Sequence, residues 1–84
     1  MFAIIGDWPV EEALDAQQLA HIVETVKQHP GFVRGYWGQA PDDAGRAHAI
    51  VVLDDEVAAR SMAAGVTAAI PSASIRIIRV LADA

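Results

Sequence analysis

The sequence predicts a single α+β domain of βαββαβ order, a four-stranded antiparallel sheet with both helices on one face. Three observations predict it. The chain's 84 residues leave room for one core and no second. Four β-prone apolar runs alternate with two segments of helical periodicity, in that order. Strong turn chemistry joins the middle two runs as a hairpin.

Phe2 to Trp8 is apolar and β-prone, and reads as the first strand. Pro9 cannot donate a ladder hydrogen bond, so the strand is expected to stop before it. A helix follows between Glu11 and Gln28. Asp15 is a good N-cap, and Gln18 completes a capping-box pattern; an earlier start would put Glu11 and Glu12 in the first turn, against the positive helix end. Leu19, Ile22, Val23 and Val26 then fall on one stripe, expected to be buried. Pro30 disfavours the α conformation at His29, so His29-Pro30-Gly31 ends the helix.

Phe32 to Gln39 is the second strand, carrying aromatic and β-branched residues. Ala40 to Gly45 is turn sequence, with Pro41 setting φ and Gly45 available for positive φ. Arg46 to Leu53 is the third strand. Asp54 or Asp55 caps a second helix with Glu56 in its first turn. Its buried face is Ala58, Met62 and Val66, with Ala59 and Ala63 beside them. Gly65 weakens the late turns, which places the end between Ala64 and Ala69. Pro71 to Ser74 is a loop, and Ile75 to Leu81 is the fourth strand. Each half is a βαβ unit with an expected right-handed crossover, and two interlocked units give the ferredoxin-like plait.

Two helices cover only one face of such a sheet, yet the strands are apolar on both. His48, Ile50 and Val52 oppose Ala47, Ala49, Val51 and Leu53; Ala3 and Ile5 oppose Ile4, Gly6 and Trp8; Ile75 and Ile77 oppose Ile78 and Val80. A solvated face would alternate apolar with polar. A second copy packed sheet against sheet is therefore expected, a homodimer through the sheet face. A chain this short buries only about 60–65% of its unfolded surface. With no cysteine to form disulfides, association is the remaining common supplement.

Composition narrows the function. A net charge of −5 with six dispersed Lys and Arg residues argues against nucleic-acid binding. No apolar stretch is long enough to span a membrane, and Met1 to Trp8 lacks a signal-peptide pattern. A cytoplasmic location is expected. The Arg and Ala bias suggests a high-GC bacterial genome. His21, His29 and His48 without thiolates make no zinc cluster, and no metal or cofactor is expected.

The chain resembles the dimeric α+β barrel superfamily, which includes antibiotic-biosynthesis monooxygenase-like and stress-responsive barrel proteins. The resemblance covers nearly the whole chain. It lies in the opening strand ending at Trp8, the His29-Pro30-Gly31-Phe32 entry to the second strand, and Gly35-Tyr36-Trp37 within it. It continues through the Asp43-Ala44-Gly45-Arg46 hairpin and Val51-Val52-Leu53-Asp54-Asp55-Glu56 leading to Ala58-Ala59-Arg60. The resemblance implies sheets packed face to face and a lumen in each subunit for a small molecule. The superfamily's monooxygenases and haem-degrading members use an asparagine on the first strand, and this chain contains no asparagine. The haem-degrading members also use a histidine on or near the second helix, and none lies between Asp54 and Ala69.

Five residues form the candidate ligand site: Trp8, Arg34, Tyr36, Trp37 and His48. Aromatics with one polar edge suit a planar organic ligand; against this stands packing in the sheet and at the subunit seam. Tyr36 and Trp37 are adjacent and point to opposite faces of a regular strand. His48 can act as a general base or be a structural histidine, and no nucleophile motif accompanies it. Arg34, Arg76 and Arg79 can bind an anion bidentately or form ion pairs, but Arg76 and Arg79 face opposite ways. His21 and Glu24 share a helix face yet are too few for a metal. Asp42 and Asp43 are turn residues, and glycines 31, 35 and 38 fit no phosphate-cradling motif. The leading expectation is a dimeric small-molecule-binding or interaction protein without established catalysis. The alternative is a cofactor-independent monooxygenase acting on an aromatic or quinol-like substrate.

Overall fold

A computed structural model describes residues 1–10 and 16–84. Its elements are β1 (Phe2–Pro9), α1 (Ala16–Lys27), β2 (Phe32–Ala40), β3 (Asp43–Leu53), α2 (Glu56–Ala69) and β4 (Ser74–Arg79). The strands form one antiparallel sheet in the order β2-β3-β1-β4. This is the expected ferredoxin-like α+β plait.

The expected first-helix cap at Asp15, with Glu11 and Glu12, lies outside the described residues. The other boundaries show where local rules gave way. β1 runs on through Pro9, which pairs with Arg46. Val10 donates to the Gly45 carbonyl at 2.9 Å. Alternation of N–H direction along a strand therefore turns the Pro9 nitrogen to the other side. There β4 has already ended, at the Asp7–Ser74 pair, so the missing N–H leaves no ladder bond unmade.

The hairpin is tighter than the expected six-residue turn. β3 begins at Asp43, and a register shift between Gln39 and Ala40 absorbs the extra residues of its first stretch. Gly45 does not use positive φ; Gly31 is the one described residue that does, at 86°. Local hydrogen bonds hold the bulge instead: Gly45 N–H donates to Asp43 Oδ1 at 3.0 Å, and Gln39 Nε2 donates to the Ala44 carbonyl at 3.0 Å. Gly31 carries the chain from α1 into β2, where Phe32 N–H reaches the His29 carbonyl at 3.2 Å and Asp54 N–H the Gly31 carbonyl at 2.9 Å. At the far end β4 stops at Arg79 rather than Leu81, although Val80 still donates to the Met1 carbonyl at 3.0 Å. Leu81 is 90% exposed.

Asp55, not Asp54, caps α2, its side chain accepting from Ala58 N–H at 2.7 Å. α2 runs past Gly65 to Ala69, the far end of the expected range. Ala59 and Met62 are buried, and they meet Ile4, Val51 and Leu53 in the core. α1 lies on the same face more loosely. Leu19, Ile22, Val23 and Val26 are half-buried rather than buried, and Val26 packs on the core cluster. The fully buried core is small: Leu53 is the only large side chain below 2% exposure among the described residues.

Candidate functional site

Register assigns every strand side chain to a face. On the helix side, Phe2, Ile4, Gly6 and Trp8 stand beside Leu53, Val51, Ala49 and Ala47. The open side carries three rows across the sheet. The first is Arg34, Val52, Ala3 and Ile78; the second is Tyr36, Ile50, Ile5 and Arg76; the third is Gly38, His48, Asp7 and Ser74. The middle row holds Tyr36 at 62% exposure, Ile50 at 44% and Ile5 at 39%. Ile78, in the row beside it, is 39% exposed.

The five expected ligand residues divide between these faces. Trp8 and Trp37 stand on the helix side; Arg34, Tyr36 and His48 stand on the open side. Trp37 packs against the core, its indole lying back over Gly35, where an added Cβ would come within 2.6 Å of the ring. Trp8 is half-buried opposite Ala47. A space of about 90 Å³ lies between α1 and the sheet, bordered by Leu19, Trp37, Gly38, Gln39, Ala47 and His48. It is smaller than the roughly 150 Å³ that holds a benzene ring in a protein interior, and Trp8 does not border it.

A larger groove, about 420 Å³ and open to solvent, lies over the β2–β3 pair. Tyr36, Gly38, Gln39, Ala40, His48 and Ile50 line it, together with Trp37 and Ala49. Gly38, Gln39, Ala40 and Ile50 were not among the expected site residues. A glycine inside a strand that otherwise favours large side chains was the available signal, since such a residue marks a close approach or an opening.

Charges on the open side are unevenly matched. Arg46 grips Asp7, with Nη2 at 2.6 Å and Nε at 2.7 Å from the same carboxylate oxygen. Among the described residues, neither the Arg34 nor the Arg76 guanidinium makes a hydrogen bond or ion pair. Arg79, on the other face, lies 5.7 Å from the centre of the Phe2 ring. Away from the sheet, Glu24 pairs with Lys27 at 3.8 Å. No group of three or more metal-ligating side chains is assembled among the described residues, and no described helix is long and apolar enough to cross a membrane.

Fold and face together define a ferredoxin-like plait with one sheet surface uncovered, apolar at its centre and bordered by arginines. Neither the protein-family models nor the curated proteins compared with this chain match it.

Proposed function

We propose that the chain works as a homodimer of the dimeric α+β barrel kind, two copies packing their open sheet faces together, and that the assembly binds a small molecule. The observation that carries this is the middle row of the open face. Ile50 and Ile5 stand side by side, more than a third exposed, with Tyr36 beside them. A contiguous apolar patch on a regular sheet is a docking surface more often than a solvated one. The small core on the helix side points the same way, because a short chain without disulfides gains from burying a second face. Self-packing needs no other partner, and a two-fold axis lets one patch serve both copies.

Sedimentation equilibrium across micromolar concentrations tests this. The wild-type chain is expected at dimer mass. Ile50→Asp, which sets a carboxylate at the centre of the patch, is expected at monomer mass with its far-UV circular dichroism unchanged. Wild-type protein at monomer mass throughout would end the dimer reading.

The division of the candidate residues between two faces supports a binding role over the monooxygenase alternative. An oxygenase site built on the aromatic set would gather Trp8 and Trp37 beside His48 or an arginine around one ring. Oxygen uptake with dihydroxyaromatic substrates, lowered by Trp8→Ala or His48→Ala, would revive the alternative.

A further inference from the structure

The helix side of the sheet carries a second groove, about 550 Å³, between α2 and the edge strand β4. Its floor is Ile75, Ile77 and Arg79, alternate residues of β4 that pair with Gly6, Ile4 and Phe2 of β1 and so stand on the helix side. Two copies joined through their open faces leave this groove uncovered. Gly6 keeps the floor low: Ile75 leans over it, and an added Cβ there would meet Ile75 Cδ1 at 2.8 Å. The opposite wall is α2, which presents Glu56, Arg60, Ala63 and Ala64, residues three or four apart and so on one helix face. The two alanines leave open the space that larger side chains would fill. The volume falls in the range of small-molecule sites.

The groove has a charged end and an apolar end. α2 starts just after Leu53, which pairs with Phe2, and Phe2 pairs in turn with Arg79. Glu56, Arg60 and Arg79 therefore gather at one end, while Ala64 and Ile75 lie toward the other. Thr67 is the remaining polar lining side chain, at the apolar end. From Arg79 to Ile75 the floor runs about 13 Å. The charges at the first end do not cancel, because two guanidinium groups face one carboxylate. Glu56 meets Arg60 at 3.4 Å between exposed side chains, a weak tie that another anion can replace. Arg79 has no hydrogen bond or ion pair among the described residues, and its guanidinium stands 5.7 Å from the centre of the Phe2 ring. The carboxylates nearest in sequence, Asp54 and Asp55, line a different recess with His29 and Gly31, and Asp55 is turned to the Ala58 N–H.

We propose that this groove binds a medium-chain monocarboxylate, its carboxylate held by Arg79 and Arg60 and its chain laid along Ile77 and Ile75 beneath Ala63 and Ala64. The surplus of one positive charge matches one carboxylate, and a guanidinium takes a carboxylate through paired hydrogen bonds. The row of isoleucines beyond the arginines matches an apolar chain. The proposal rests on the reading that the protein binds a small molecule, and it names the class and the place; the homodimer is independent of it.

Nuclear magnetic resonance titration of isotope-labelled protein with octanoate and its neutral amide, octanamide, tests the proposal. Octanoate is expected to shift the backbone amides of α2 and β4 that border the groove, and to bind about ten-fold more tightly than octanamide. Arg79→Gln is expected to bring octanoate down to the amide's affinity and leave the amide unchanged. Glu56→Gln frees Arg60 and is expected to tighten octanoate about two- to five-fold. Butyrate, too short to reach Ile75 from the arginines, is expected to bind about ten-fold or more weakly than octanoate. Equal affinities for octanoate and octanamide, or for octanoate and butyrate, would overturn the proposal. So would octanoate affinity unchanged in Arg79→Gln or lowered in Glu56→Gln, or no octanoate binding at millimolar concentration. Octanoate shifts confined to the open face would overturn the groove and keep the small-molecule reading. Sedimentation of the same samples keeps the dimer separate: a wild-type monomer that binds octanoate in the groove overturns the dimer reading alone.

Discussion

Leu53→Ala tests whether the helix-side core is organised around one side chain. Leu53 is completely buried. It sits at the end of β3, paired across to Phe2 on β1 and Phe32 on β2. Ala59 and Met62 from α2 complete the cluster around it. Removing the isobutyl group leaves a cavity ringed by three strands and a helix, and strand pairing limits how far that ring can collapse. Buried leucine truncations cost about 3–4 kcal/mol in such settings. A domain of this size has a total stability of roughly 4–12 kcal/mol. Urea unfolding followed by circular dichroism, at matched protein concentration, is the assay. With a slope of about 1–1.5 kcal/mol per molar urea, the midpoint is expected to fall by about 2–4 M while the slope stays unchanged. A midpoint shift below about 0.7 M would mean the site repacks freely, and would refute a core centred on Leu53.

Gly31→Ala is expected to destabilise by about 2 kcal/mol or more in the same assay, because φ is positive there and the new Cβ would approach Asp54 Oδ1 to 2.6 Å and the Ala58 Cβ to 2.8 Å; a neutral result would contradict the turn geometry. Asp55→Ala removes the α2 cap and is expected to cost about 1 kcal/mol, whereas Asp54→Ala leaves the cap in place; equal losses from both would reassign the cap.

Much of the fold was legible because local signals agreed with one another. Element order, the split of β1, β3 and β4 into two faces, the acidic cap of α2 and the His29-Pro30-Gly31 stop all followed from short-range rules. The misplacements are informative. Pro9 pairs in β1 because its neighbour strand has already ended, a fact of the sheet and not of the dipeptide. Gly45 invited a positive φ, yet Asp43 and Gln39 hold that stretch by hydrogen bonds that proximity alone makes possible. Register separates Tyr36 from Trp37 as their adjacency implied, and it puts Trp8 on the face of Trp37, away from Tyr36, His48 and Arg34. Gly38 was signalled in the sequence only by being a glycine inside a strand, because its contribution is the volume of a side chain that is absent.

The two faces of β3 explain why the chain has both a thin core and a greasy exterior. Ala47, Val51 and Leu53 are buried against the helices, while Ile50, between them in sequence, stands 44% exposed on the other side. On the helix side, two of the buried residues, Ala47 and Ala59, are alanines, which fill little volume between the helix layer and the sheet. A solvent-facing strand in that position would replace Ile50 and Ile5 with Thr, Lys or Glu at little cost to the helix-side core, because alternation uncouples the two faces. Helix packing therefore does not account for these isoleucines, and a requirement acting on the open face does. The arginines sharpen that requirement. Ile5 and Ile50 ask for an apolar cover, while Arg34 and Arg76, at opposite edges of the same two rows, ask for negative charge at its margins. The second copy proposed above would meet the first demand at the centre.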